Sequence, residues 1–110
     1  MAERERRRYA RFALPVRVAV KGRGLSEACI AEQIGMGGCM ITLSRLLPEG
    51  AQLQVELSAD GPAQPVGGAA QVAWVSPSAP WHTGLSFSAP LVEALGPFLR
   101  TLVGPASLKP

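Results

Sequence analysis

Alternating apolar residues near the start of the chain limit most strongly what it can fold into. From Phe12 to Val20 every second residue is apolar, while Arg17 lies on the opposite face. Successive side chains of a β-strand point to opposite faces, so this period predicts a half-buried strand over Phe12 to Val20. The folded part of the chain therefore opens with a strand that has one apolar face.

Five further segments are typical of short strands. They are Leu25 to Ile34, Cys39 to Leu43, the segment around Leu53, Val55 and Leu57, Ala69 to Ser76, and His82 to Phe87. Segments rich in Gly or Pro separate them, among them the turn from Gly35 to Gly38 and the longer loop from Ala59 to Gly68. Strands at this spacing, with no helix between them, favour antiparallel pairing. We predict an all-β domain with a six-stranded antiparallel β-barrel and a C-terminal helix.

Three large side chains in these segments have a predicted place. Val72 and Trp74 alternate along the fifth strand, so we expect Trp74 in the core, with stacking on a ligand as the alternative. Met40 is also expected in the core. Met36, in the Gly-rich turn, is expected near a ligand.

The C-terminal part of the chain changes to a helical period. Its apolar residues are spaced three and four apart: Leu91, Leu95, Phe98, Leu99 and Leu102. Ser88 is a candidate N-cap and Pro90 fits the first turn. Pro97 removes one hydrogen bond and costs about 3 kcal/mol inside a helix, so we expect a kink or a break there.

The composition fits one domain without a membrane span. The chain has 110 residues, 47% of them hydrophobic, which is enough for one core. No apolar run approaches the roughly 18 residues of a membrane span, and the charged N-terminus is unlike a signal peptide. We therefore expect a cytoplasmic protein that does not insert into a membrane.

Few residues of the chain could carry catalysis or hold a metal. Cys29 and Cys39 are the only cysteines, and without a secretory signal they fit small buried hydrophobic residues better than a disulfide. His82 is the only histidine. No nucleophile, acid/base or metal-ligand set is discernible, so we predict no catalytic residue, no metal and no cofactor.

The net charge of the chain lies in its first eleven residues. Five arginines stand there against Glu3 and Glu5, a balance of +3, while the rest of the chain has six basic and six acidic residues, a balance of 0. We divide the chain into a flexible basic arm at 1–11, a folded domain at 12–104 and a tail at 105–110. A short basic terminus is often a solvated tail. The alternative is an anion clamp, because Arg7 and Arg11 lie at the entrance to the folded domain.

The order of several motifs resembles a known family. The matching residues are an RxxxR pattern in its RRxxR form, a strand tryptophan and a last-strand Gly-x-x-Phe: Arg7, Arg8, Arg11, Trp74, Gly84 and Phe87. In this order the chain is similar to the PilZ domain, the bacterial receptor for cyclic di-GMP, over about Arg6 to Val103. The resemblance implies that the arginines bind the guanine and phosphate groups of that ligand, which a planar guanidinium fits well.

The second motif of the family is only partly present. Its pattern, (D/N)xSxxG, aligns with Gln33 to Gly38, where only the last glycine matches. Gln33 offers a neutral amide in place of the Asp or Asn, and Gly35 lacks the hydroxyl of the Ser. Each lost hydrogen bond costs about 0.5–1.5 kcal/mol, so we expect an affinity lower by about one to three orders of magnitude. The implied ligand site consists of Arg7, Arg8, Arg11, Gln33, Gly35 and Gly38.

Three classes of function follow. The first is a cyclic di-GMP receptor that relays the second messenger to an unidentified protein partner in motility or surface regulation. The second is a degenerate PilZ adaptor that acts by protein contacts, or by forming a homodimer, without the nucleotide. The third is a nucleic-acid binder with a basic arm, which the charge-neutral strands with few aromatic residues disfavour.

Overall fold

The computed structural model describes residues 11–12, 16–61 and 63–103. Its elements are β1 (Arg11–Phe12), β2 (Arg17–Gly22), β3 (Leu25–Ile30), β4 (Gln33–Gly35), β5 (Gly38–Leu43), β6 (Gln52–Ser58), β7 (Val66–Val75), β8 (Trp81–Phe87) and α1 (Ala89–Val103). The predictions for the arm before Arg11 and for the tail at 105–110 lie outside the described residues.

All eight strands belong to one antiparallel sheet. Their order from edge to edge is β1-β4-β5-β8-β7-β6-β2-β3. Antiparallel β structure with a C-terminal helix is therefore confirmed. The strand count differs from the predicted six because two of the predicted strands are each divided.

The two divided strands form one hairpin that changes partners along its length. We expected continuous strands over Phe12 to Val20 and over Leu25 to Ile34, which was wrong. Near its turn the hairpin consists of β2 and β3, and β2 also pairs with β6. Near its open end it consists of β1 and β4, and β4 also pairs with β5. The two ends of the sheet thus belong to the same hairpin, so the sheet curls upon itself.

Side chains hold the β3 edge to the end of β5. The Glu27 carboxylate accepts a hydrogen bond from the Ser44 backbone N–H at 3.1 Å and another from the Ser44 hydroxyl. Next to it, the Arg45 guanidinium donates to the Arg23 backbone carbonyl. These bonds connect two strands that share no ladder, and they keep the sheet curled.

The inner face of the curled sheet forms the core. Along β2 and the residue before it, the alternation predicted from the sequence is confirmed, because Val16, Val18 and Val20 are fully buried. On β6 the buried residues Leu53, Val55 and Leu57 alternate with outward polar residues. Each buried aliphatic side chain contributes about 1.5–3 kcal/mol relative to exposure, so this face supplies most of the stabilisation of the sheet.

Helix α1 packs on the core with the face that the sequence predicts. Leu91, Leu95, Phe98 and Leu99 are buried, and Leu102 packs partly against the core. The helix begins after Ser88, whose carbonyl accepts the Val92 N–H at 2.9 Å. It continues through Pro97, so the predicted break is absent. Burial of this apolar face outweighs the cost of the missing hydrogen bond.

The predicted loop from Ala59 to Gly68 ends earlier than expected. Strand β7 begins at Val66, and Gly67 and Gly68 pair with Glu56 and Val55 of β6. A Cβ on Gly68 would lie 3.1 Å from the Leu91 Cβ. The glycine that resembles a loop residue therefore serves the close approach of the helix to the sheet.

No helix in the described part of the chain has the length and apolarity of a membrane span.

Candidate functional site

The structure places the last arginine of the basic arm beside the Gly-rich turn. In the β1–β4 pair, Arg11 lies opposite Gly35 and Phe12 lies opposite Ile34. Strand β4 also carries Gln33, which is half-buried, while Gly35 is buried. The sequence motifs at Arg11 and at Gln33 to Gly38 are therefore neighbours in the fold. Arg7 and Arg8 lie outside the described residues.

Four residues form a row across four strands of the outer face. Gln33 lies opposite Met40, Met40 lies opposite Gly84, and Gly84 lies opposite Trp74. Residues that are directly opposite each other in an antiparallel pair point to the same face. We call Gln33, Met40, Gly84 and Trp74 the cross-strand row. Met40 is half-buried on this outer face, so its predicted place in the core was wrong.

A β-bulge brings Trp74 into the row. On β7 one extra residue lies between Val72 and Trp74, whereas their partners on β8, Leu85 and Gly84, are adjacent in the chain. The extra residue moves Trp74 to the other face from Val72, so Val72 is 2% exposed and Trp74 is 41% exposed. The prediction of a core Trp74 was wrong for this reason, and its alternative as a stacking surface remains.

The Trp74 indole lies directly on the backbone of the next strand. A Cβ built on Gly84 would overlap the indole Nε1, so only glycine leaves room for the ring in this position. The ring therefore lies against the sheet surface at Gly84, while Trp74 stays 41% exposed.

A polar cluster lies beside the row on the same face. The Thr42 hydroxyl donates to Oε2 of Glu32, and it lies 3.0 Å from Nδ1 of His82, which is 3.6 Å from the same Glu32 oxygen. A hydroxyl has one proton, so Thr42 must accept from His82 Nδ1–H while it donates to Glu32. We call Glu32, Thr42 and His82 the Glu32 cluster.

Gly38 has a packing role of its own. It is buried at the start of β5, opposite Ser86 of β8. A Cβ on Gly38 would overlap the Leu85 carbonyl oxygen, and the neighbouring Gly37 carbonyl accepts the Phe87 N–H at 2.9 Å. The last glycine of the second motif is thus required by the approach of β8.

Helix α1 brings a further cation to the Gly-rich turn. The Met36 methyl group and Nη1 of Arg100 lie 3.6 Å and 3.5 Å from the position of a Cβ on Gly96. Met36 packs against the core. Within the described residues, Arg100 has no hydrogen-bond or ion-pair partner, so its charge is available to an anion near the turn.

The sequence pattern did not reveal the Glu32 cluster. Thr42 and His82 are 40 residues apart, and only the β5–β8 register makes them neighbours. The alternation of Met40 and Thr42 along β5 would have placed them on one face, but nothing local connects them to Glu32. By contrast, the predicted residues Gln33, Gly35 and Gly38 do lie together around one turn.

Most of the chain matches the model of one protein family. The PilZ domain model matches residues 5–101. The chain belongs to the PilZ domain family. That match spans most of the arm as well as the sheet and the helix of this PilZ domain, and no curated protein gives a significant match.

Solved structures have the same fold. The inhibitor of motility MotI/DgrA from Bacillus subtilis is 18% identical, with a TM-score of 0.67 over 91% of this chain and 52% of that chain. YcgR from Escherichia coli in complex with c-di-GMP is 22% identical, with a TM-score of 0.68 over 93% of this chain and 48% of that chain. This PilZ domain thus spans about half the length of those two proteins.

A third solved structure matches over almost the whole length of both chains. The PilZ domain of Escherichia coli YcgR with c-di-GMP is 18% identical, with a TM-score of 0.64 over 93% of this chain and 98% of that chain.

Proposed function

We propose that this PilZ domain is a cyclic di-GMP receptor without catalytic activity, acting in the cytoplasm. The observation that carries the proposal is the outer face. Strand β1, where the RxxxR motif ends, is separated from the exposed Trp74 ring by the strands that hold Gln33, Met40 and Gly84. An aromatic surface, a polar edge and the strand at which the arginine motif ends thus follow one another across the sheet.

Each part of this surface suits a different group of the ligand. The arginine fork of the arm matches a phosphate or the O6/N7 edge of a guanine. The exposed side of the Trp74 indole offers a stacking platform, which is worth about 1–3 kcal/mol per base. The Gln33 carbonyl can accept from a guanine N–H, and Arg100 adds positive charge beside the turn. These contacts offset the missing Asp or Asn and the missing Ser of the second motif.

In this proposal ligand binding changes the surface that a protein partner meets. Arg7, Arg8 and Arg11 would close over the ligand, so the arm would be held against β4. The partner would then distinguish the bound from the free form by the position of the arm. Such a relay needs no chemistry on the ligand.

Isothermal titration with cyclic di-GMP tests the proposal, with GTP as the control ligand. We expect saturable binding at micromolar or tighter affinity. Arg7→Ala, Arg11→Ala and Trp74→Ala should each weaken it by about tenfold or more, since each removes one charge-assisted or stacking contact. Lys21→Ala is the matched control, because Lys21 is exposed near the β2–β3 turn, at the opposite end of the hairpin from β1 and β4.

A lack of heat at high ligand concentration would contradict the receptor. It would favour the second candidate, an adaptor that acts through protein contacts or as a homodimer. The absence of the Ser hydroxyl at Gly35 and of a carboxylate at Gln33 supports that candidate. A partner would then be sought with the Trp74 face as bait, comparing the wild type with Trp74→Ala.

A further inference from the structure

Glu32 and Gln33 present their side chains on the same face of the sheet. Thr42 and Met40 are two residues apart on β5 and therefore point to one side. Met40 lies opposite Gln33, and Thr42 bonds the Glu32 carboxylate. Two neighbours in a regular strand would point to opposite sides. Here the Glu32 N–H donates to the Met40 carbonyl at 2.8 Å, so both Glu32 and Gln33 face Met40, as in a β-bulge.

The carboxylate is held in place but remains accessible. Thr42 and His82 both approach Oε2, and the Glu32 side chain is 40% exposed. In the part of the chain that the structure describes, Oε1 has no hydrogen-bond partner. A carboxylate fixed by two neighbours, with one oxygen free at the edge of the cross-strand row, is arranged to accept hydrogen bonds from a ligand on that row.

We propose that Glu32 supplies the carboxylate that recognises guanine in this chain, in place of the Asp or Asn that position 33 lacks. This inference rests on the proposed cyclic di-GMP site. A guanine base offers two neighbouring donors, its ring N1–H and its exocyclic amine. Oε1 of an ionised Glu32 can accept from one of them, and Oε2 can accept from the other in addition to the Thr42 hydroxyl, whereas the Gln33 amide has a single oxygen acceptor.

The same arrangement makes Glu32 a specificity residue. Adenine has a lone pair at N1 where guanine has N–H, and that lone pair faces a carboxylate unfavourably. A site that hydrogen-bonds one base leaves polar groups unpaired with the other, which is a strong source of discrimination. Cyclic di-AMP should therefore bind more weakly than cyclic di-GMP, and the difference should depend on Glu32.

The test is Glu32→Gln, titrated with cyclic di-GMP and with cyclic di-AMP. We expect the variant to lose about ten- to hundredfold in cyclic di-GMP affinity, the range for a hydrogen bond to a charged group. Its preference for cyclic di-GMP over cyclic di-AMP should fall by a similar factor. Glu27→Gln is the matched control, because Glu27 also accepts from a hydroxyl, that of Ser44, but on β3. It should bind as the wild type does.

A rescue variant separates recognition from folding. Gln33→Asp in the Glu32→Gln background returns a carboxylate to the position at which the family has one, and it should recover most of the lost affinity. If Glu32→Gln keeps the affinity and the preference of the wild type, the role of Glu32 is overturned while the receptor stands. If the wild type itself does not bind cyclic di-GMP, the receptor and this inference are both overturned.

Discussion

The two halves of the curled sheet are built differently. In the half formed by β2, β3 and β6, the ladders run without a register shift, and the outward residues of β6 are separate polar groups. In the half formed by β4, β5, β8 and β7, the regular pairing is interrupted at Glu32 and between Val72 and Trp74. There the outward side chains touch one another.

The difference shows where the strands depart from regular pairing. Unbroken alternation is enough to bury an apolar face, and the regular half does little else. The irregular half needs two bulges to place Trp74 beside Gly84 and Glu32 beside Gln33. Bulges that redirect single side chains are common next to binding sites. We therefore expect changes in the irregular half to affect the site as well as stability.

Gly38→Ala should have the largest effect. The new Cβ would overlap the Leu85 carbonyl oxygen, and both belong to the backbone of paired strands, so neither can rotate away. We expect a loss of about 3 kcal/mol in the free energy of unfolding, toward the upper end for overpacking. Chemical denaturation with an unchanged slope measures it.

Gly96→Ala is the control for the glycine change itself. Its Cβ would have only ordinary contacts, at 3.5 Å from Arg100 and 3.6 Å from Met36. Alanine is a better helix former than glycine, so this variant should gain up to about 1 kcal/mol. A Gly38→Ala protein as stable as the wild type would show that the two strands can separate, and the close β5–β8 approach would then be in doubt.

Gly84→Ala should have an intermediate effect of a different kind. The overlapping atoms belong to the Trp74 ring, which is exposed and can swing toward solvent. We expect a loss of about 1 kcal/mol, a typical value for a single substitution. The displaced ring should change tryptophan fluorescence clearly and weaken stacking on a ligand.

Trp74→Phe isolates that signal, because Trp81 is the other tryptophan of the chain. The difference between the spectra of the two proteins gives the emission of Trp74 alone. If Gly84→Ala leaves this emission unaltered, the indole does not lie on the Gly84 backbone, and the cross-strand row loses its aromatic end.

Sequence reasoning worked where local patterns decide the structure. Gly- and Pro-rich breaks located β5 and β8, and alternation located β6, each to within a residue or so, while the helical period identified the buried face of α1. It failed where the structure depends on residues that are distant in the sequence. A bulge sets the side of Trp74, a change of partner divides the first hairpin, and Gly68 lies in a strand because it pairs with β6. These features depend on tertiary contacts that period alone does not encode.

The candidate site divides in the same way. Arg11, Gln33, Gly35 and Gly38 were found by motif resemblance, and β1–β4 pairing together with the turn brings their backbones together. Glu32 and Thr42 belong to no motif: the β5–β8 register brings Thr42 to His82, and the bond of the Glu32 N–H to the Met40 carbonyl brings Glu32 to them. A resemblance finds residues that a family shares, whereas a substitute contact in one chain has to be found in its structure.

The smallest expected effect is electrostatic, and it joins the Cys29 thiol in one half of the sheet to the Glu32 carboxylate in the other. Cys29 lies on β3, and its thiol donates to the Val18 carbonyl at 3.7 Å. Burial, followed by the charges of Glu27 and then Glu32, raises the pKa of this thiol from its ordinary 9.0 to about 11. The folded state thus favours the protonated thiol. Its contribution to stability is fully present below pH 9 and is lost as the pH rises toward 11.

Alkylation by iodoacetamide measures this pKa, because only the thiolate reacts. In a Cys39→Ala background the rate should stay low at pH 8 and rise with a midpoint near 11. Glu32→Gln should lower the midpoint slightly, and Glu27→Gln somewhat more, because the Glu27 charge acts more strongly on the thiol. If the midpoint is the same with and without Glu32→Gln, the Glu32 carboxylate lies farther from β3, and the two halves are electrostatically independent.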